Sequence, residues 1–297
     1  MDDLIPSNAG ADSAELQRRL ALYGYLYFPA VLPQADVYAS SQELASIFRE
    51  GGWIDADGDA IRPTAAVAQQ ETDATYRRAA LSAALHRVPF FDGLQDLVEC
   101  ILGEPAFPYP SKVLRATPPA AWTTESGRYT HHDFAYWGVD DMLTTWIPLV
   151  NVPKLMGGLA LLPGSHRQSP QPLRRLGPDE PGWATTDYGL GDVVLFHCLT
   201  GHAALPNLSG GLRLSGDFRW QATTTPVRRE FVYGRRGGAK ELFTKSFSDA
   251  PWWRSVPGGL TYVDVADGTI RRPGASRFFE VHPAWASWPG PTPPEHG

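Results

Sequence analysis

A mainly β fold with helical additions, a jelly roll prefaced by helices, is predicted for this chain of 297 residues by three observations. From about residue 106 to 233, short runs rich in Val, Leu, Ile, Phe, Trp and Thr recur between Gly, Pro and Asn, the signature of an all-β sandwich or barrel. The first hundred residues instead carry apolar side chains at helical spacing. Hydrophobic residues make up 43% of the chain, including 10 Trp, which is enough for a substantial core and incompatible with a mainly disordered polymer.

Taken in order, residues 12 to 22 predict an amphipathic helix begun by Asp12 or Ser13, with Leu16 and Leu20 inward and Gly24 as its stop. Tyr25-Leu26-Tyr27-Phe28 predicts a strand, and Gln34 to Phe48 a second helix after the Pro33 boundary. Asp55, Asp57 and Asp59 resemble the start of a calcium loop, but Ala60 and Ala66 stand where such a loop needs Gly and Glu, so a solvated turn is expected. Residues 72 to 102 carry two more helical patterns, the second from Phe91 to Leu102 with Gly103 as its stop. Strands follow at Lys112 to Arg115, Leu143 to Val150, Gly158 to Leu162, Asp192 to Phe196 and Leu212 to Gln221. After Val232 a segment rich in Gly, Pro and Trp begins, with Trp252, Trp253, Phe278, Phe279, Trp285 and Trp288 expected to wrap back over the barrel or to form a dimer contact. One domain is expected over 1–297: a helical part to about 105, a jelly-roll core to about 233, and a wrapping segment from about 234.

Composition excludes several classes. A net charge of -6 argues against a general nucleic-acid binder. Cys100 and Cys198 lie far apart with no CxxC pair, so neither a disulfide framework nor a structural zinc site is indicated. The start lacks a signal peptide pattern and no apolar run approaches the ~18 residues of a membrane span, so a cytoplasmic protein with no membrane partner is expected. The Arg228, Arg229, Arg235 and Arg236 cluster reads as a solvated face.

Chemistry concentrates in two segments, Thr130-His131-His132-Asp133 and Phe196-His197-Cys198-Leu199-Thr200-Gly201-His202. On an extended strand His131 and Asp133 share a face while His132 looks away. A second strand supplying His202 completes a set of two histidines and one carboxylate with open positions, the arrangement associated with non-haem Fe(II) oxygenases.

Further elements follow in a fixed order: the Trp146-Ile147-Pro148-Leu149 strand, the Pro163-Gly164-Ser165-His166 turn, the His197 to His202 segment, Asn207, and Arg213-Leu214-Ser215. In this order and spacing the chain resembles the phytanoyl-CoA dioxygenase family of Fe(II)- and 2-oxoglutarate-dependent oxygenases, from about residue 20 to 225. The resemblance implies a double-stranded β-helix, a cupin-like jelly roll, with iron held by His131, Asp133 and His202, and with 2-oxoglutarate and dioxygen as co-substrates. Family spacing favours His202 over His197 as the last ligand; His197, His132 and His166 are expected to be structural. Related halogenases replace the carboxylate, so Asp133 points to an oxygenase outcome.

Burying the distal carboxylate of 2-oxoglutarate requires a strong partner. Arg213 offers a bidentate charge-assisted contact and Ser215, two residues along, a hydroxyl from the same face; the family match supports both. The alternative for Arg213 is an ion pair with a surface Asp217. By analogy Trp146 and Thr144 line the same pocket. Arg115, in a Leu-Arg-x-x-Pro setting resembling that of bacterial hydroxylases of terpenoid carboxylic acids, is a candidate for a substrate anion, and Tyr136 and Trp137 for the pocket mouth. The expected activity is hydroxylation of an unactivated C–H bond in a small, largely apolar molecule, a carboxylic acid among the candidates, in natural-product biosynthesis, by a monomer or homodimer. The alternatives are a non-catalytic jelly-roll binding protein, or the same chemistry ending in desaturation, epimerisation or cyclisation.

Overall fold

The computed structural model describes residues 1–55, 74–119, 129–177, 180–233, 256–264 and 272–290. Asp57 and Asp59, Trp252 and Trp253, and Arg235 and Arg236, singled out in the sequence, lie outside the described residues.

In chain order the elements are β1 (Asp2–Asp3), α1 (Ser13–Tyr23), β2 (Tyr25–Phe28), α2 (Gln34–Glu50), α3 (Ala74–Ala80), α4 (Ala83–His86), α5 (Leu94–Leu102), β3 (Ala106–Pro108) and β4 (Val113–Thr117). They continue with α6 (Phe134–Trp137), β5 (Leu143–Pro148), β6 (Leu159–Leu161), β7 (Ala184–Thr185), β8 (Val193–His197), β9 (His202–Ala204), β10 (Arg213–Ala222), β11 (Val227–Arg228), α7 (Arg229–Tyr233) and β12 (Tyr262–Val263). The α1 boundaries follow local chemistry. The Asp12 side chain accepts from the Glu15 amide, which would otherwise lack a partner in the first turn. At the other end Gly24 takes the left-handed conformation, φ 79°, and a Cβ there would come within 2.4 Å of His166 Nδ1. The final N-terminal helix begins at Leu94 and not at Phe91, because Gly93, at φ 81°, turns the chain first.

Two sheets form the barrel. The larger runs β2-β8-β5-β10-β3, with β4 also paired to β10; the smaller runs β1-β7-β6-β9. Strand alternation assigns the faces. Val193 and Leu195 of β8, with Leu214, Phe218 and Trp220 of β10, pack against Leu16 and Leu20 of α1, Leu44 and Phe48 of α2 and Val98 of α5. The other face of the same sheet turns Val194, Phe196 and Trp146 toward Leu159 and Leu161 of the smaller sheet. The helices therefore cover one face of the larger sheet, and the space between the two sheets is left for a site. The segment 272–290 packs across the barrel end: Ser276 Oγ and the Arg277 amide donate to Asp141 at 2.6 and 2.9 Å, and Trp285 meets His132 edge to face at 5.2 Å. No helix among the described residues is long and apolar enough to cross a membrane.

Candidate metal centre

His202 opens β9, and His131 joins that strand through an isolated antiparallel bridge, each amide donating to the other's carbonyl at 3.0 Å. The two imidazoles are thus brought together by backbone pairing, with ring centres 4.1 Å apart. Asp133 arrives differently. It does not continue a strand, as the sequence reading supposed, but sits in helical conformation, φ -59° and ψ -31°, as the residue before α6. The chain turns at His132, whose buried ring packs toward Trp285, and the carboxylate swings back to the imidazoles through this turn and not through strand alternation. Ligand atoms of His131, Asp133 and His202 all lie within 4.8 Å of one another, and Asp133 Oδ1 is 3.8 Å from His202 Nε2.

The donor set fits a divalent ion. His131 Nδ1 lies 3.0 Å from the Tyr129 carbonyl and His202 Nδ1 3.0 Å from the Thr200 carbonyl, so each Nδ1 carries the proton and each Nε2 is left as a lone-pair donor. Burial pushes the His202 imidazole down to about 3 and lowers that of His131, which keeps both rings neutral as ligands. Burial alone would raise the Asp133 carboxyl, but the Arg219 guanidinium, with the Thr144 hydroxyl, holds it well below the usual carboxylate range. Asp133 is therefore an anion.

Next to the imidazoles a cavity opens between the sheets, lined among others by Arg115, Trp146, Phe196, Arg213, Asp217 and Arg219. Arg213 is 3% exposed and extends its guanidinium to the Leu205 carbonyl at 3.0 Å and Thr117 Oγ1 at 3.1 Å. Ser215 is fully buried, and its hydroxyl has no hydrogen-bond partner among the described residues. A buried hydroxyl without a partner among the described residues, two residues from a cavity-lining guanidinium, is a set that could hold a carboxylate such as the distal one of 2-oxoglutarate.

The remaining candidates separate. Trp146 lines the cavity. Thr144, expected in the same pocket, directs its hydroxyl to Asp133 Oδ2 at 2.5 Å. Arg115 lines the cavity with its side chain 26% exposed and pairs with Asp217 at 2.7 Å. Tyr136 is 48% exposed and meets His131 edge to face at 5.5 Å. Trp137 is not at a mouth: it is buried against Phe231 at 4.4 Å, because the α6 turn carries it into the core opposite Tyr136. His197 is occupied on both nitrogens, by Asp141 at 3.1 Å and the Leu199 amide at 3.2 Å. Arg228 is buried, donating to the Trp137 carbonyl and pairing with Glu230, and so does not belong to a solvated cluster.

Two site residues escaped the sequence reading. Arg219 donates to both oxygens of Asp133, Nε to Oδ2 at 3.3 Å and Nη2 to Oδ1 at 3.2 Å, and Asp217 stands between Arg219 and Arg115. The available signal was the period of two in Arg213-x-Ser215-x-Asp217-x-Arg219, which puts all four on one face.

The phytanoyl-CoA dioxygenase (PhyH) family model matches residues 20–215. Two relatives are both named 1-deoxypentalenic acid 11-beta-hydroxylase. That of Streptomyces exfoliatus is 33% identical over 43% of this chain and 53% of its own; that of Streptomyces arenae is 28% identical over 72% of this chain and 83% of its own. The first match thus spans about half the length of its relative. Among solved structures, the non-haem monooxygenase ThoJ as a nickel complex aligns with a TM-score of 0.52 at 21% identity, covering 71% of this chain and 79% of that one. EctD from S. alaskensis, with 2-oxoglutarate and 5-hydroxyectoine, aligns with a TM-score of 0.51 at 18% identity, covering 89% and 91%. These two likenesses establish the shared jelly-roll fold. The family match runs over more than half of the chain and takes in His131, Asp133, His202 and Arg213 together: this chain belongs to the phytanoyl-CoA dioxygenase family.

Proposed function

We propose that the enzyme hydroxylates an unactivated C–H bond of a small, largely apolar monocarboxylic acid in natural-product biosynthesis. The observation that carries this substrate class is the charge between the sheets. Among the described residues around the cavity and the triad stand three guanidiniums, of Arg115, Arg213 and Arg219, and two carboxylates, of Asp133 and Asp217. Ligating imidazoles are neutral, and the two charges of ferrous iron offset those of 2-oxoglutarate. A site whose described residues carry more guanidiniums than carboxylates favours a substrate bringing one negative charge. Arg115, nearest to solvent of the three guanidiniums, is the residue to receive it.

Bound at the triad, iron with 2-oxoglutarate and dioxygen supplies the oxidant that replaces substrate hydrogen by hydroxyl, yielding succinate and carbon dioxide. The protein's own contribution is geometric. Arg213 and Ser215 hold the distal carboxylate of the co-substrate, and Trp146, Leu159 and Phe196 give the cavity apolar walls that exclude water and pack on a hydrocarbon body. The names of the two Streptomyces relatives, hydroxylases of a carboxylic acid, support the same class.

The test is succinate release driven by a panel of terpenoid monocarboxylic acids, each beside its methyl ester. An acid of the panel is expected to drive turnover, with its ester lower in kcat/KM by about tenfold or more, the worth of one lost charge-assisted hydrogen bond. Equal turnover of acids and esters, or a neutral molecule as the best substrate, contradicts the charge argument.

A further inference from the structure

We propose that Arg219 is a positioning residue that restricts Asp133 to ligating the metal through one oxygen, and that Asp217 holds Arg219 in place for this. The inference rests on the iron-site reading above and adds a constraint on the carboxylate itself. Asp133 has its two oxygens in different surroundings. Oδ1 lies on the imidazole side, 3.8 Å from His202 Nε2, and takes Arg219 Nη2 at 3.2 Å. Oδ2 is turned away and takes two donors, Thr144 Oγ1 at 2.5 Å and Arg219 Nε at 3.3 Å. A guanidinium fork against a carboxylate fork fixes the carboxylate plane as well as its position.

For Asp133 to chelate with both oxygens, Oδ2 would have to abandon the Thr144 hydroxyl and Arg219 Nε, both buried, and leaving such donors unmade is costly. Iron held by one atom each of His131, Asp133 and His202 would have room left for the co-substrate and dioxygen, and a second oxygen from Asp133 would take part of that room. Arg219 cannot drift. Its guanidinium carbon lies 5.3 Å from the centre of the Trp137 ring, and Nη2 lies 3.5 Å from Asp217 Oδ2, which Arg115 holds in turn at 2.7 Å. A guanidinium beside a dication is electrostatically unfavourable, and Asp217 supplies the anion that offsets it.

The test uses Co(II) as the probe and full-length protein without 2-oxoglutarate. Arg219→Met is expected to change the visible absorption of the Co(II)-loaded site, because the ligand atoms around the ion change. Arg219→Lys, which keeps the charge but offers one donor group, is expected to give an intermediate spectrum, and it serves alone should the Met variant fail to fold. The dissociation constant for 2-oxoglutarate on anaerobic Fe(II)-loaded Arg219→Met is expected to rise about tenfold, as for the loss of an outer partner of a metal ligand. Variant spectra superimposable on that of the wild type overturn the inference while leaving the iron reading intact. Failure of the wild-type protein to bind Co(II) or Fe(II) overturns the iron reading itself and this inference with it.

Discussion

Along β10, Leu214, Phe218, Trp220 and Ala222 pack into the cluster under the helices, while Arg213, Ser215, Asp217 and Arg219, alternating with them, turn to the space between the sheets. All ten residues of the strand are buried. An apolar face next to a polar face ordinarily means core on one side and water on the other. Here the polar face is as dry as the apolar one, so its charges must be matched by each other and by what binds. Ion pairs already join Arg115, Asp217, Arg219 and Asp133 in a chain, whereas the Ser215 hydroxyl has no hydrogen-bond partner among the described residues. One face holds the fold and the other holds the reaction.

Substitutions on the two faces should separate accordingly. The largest effect is expected from Trp220→Ala. The side chain is fully buried and its Nε1 donates to Thr145 at 3.0 Å, so chemical denaturation should show a loss of about 3–5 kcal/mol, with the folded fraction still binding Fe(II) and 2-oxoglutarate. Next comes Arg213→Ala, expected to weaken 2-oxoglutarate binding about 100-fold by titration, with much less effect on Fe(II); equal loss of both would remove the distinct role given to Arg213. Arg115→Ala should abolish the roughly tenfold preference for acid over methyl ester while leaving 2-oxoglutarate binding in place. Smallest is Ser215→Ala. It should weaken 2-oxoglutarate by about three- to tenfold, the worth of one hydrogen bond, and should not destabilise the ligand-free protein, since the hydroxyl has no partner to lose. A fall in the melting temperature of that ligand-free variant would show that Ser215 belongs to the structural side of the comparison.

The apolar face was the more legible of the two. Strand β10, the stops at Gly24 and Gly103, and the run of short strands follow from periodicity and turn chemistry, which act locally. The triad was legible as a motif, but the reason first given for it fails: His131 and Asp133 converge through a bridge and a helical turn, a geometry set by pairing with β9 and by α6 and invisible to a strand template. The same turn explains why Trp137 is core and Tyr136 is exposed, although both follow Asp133 closely. Asp217 and Arg219 were passed over because an alternating charged residue reads as solvent-facing until a second sheet is known to cover it. Arg228 went the same way, read as surface and found buried beneath the Trp137 carbonyl.

Anaerobic absorption of the wild-type protein with Fe(II) and 2-oxoglutarate, beside Asp133→Ala, tests the iron and co-substrate reading most directly. A metal-to-ligand charge-transfer band that appears only when both Fe(II) and 2-oxoglutarate are present, and is lost or strongly weakened in Asp133→Ala, is the expected result. No band in the wild type, or the same band at the same Fe(II) and 2-oxoglutarate concentrations in Asp133→Ala, would contradict it.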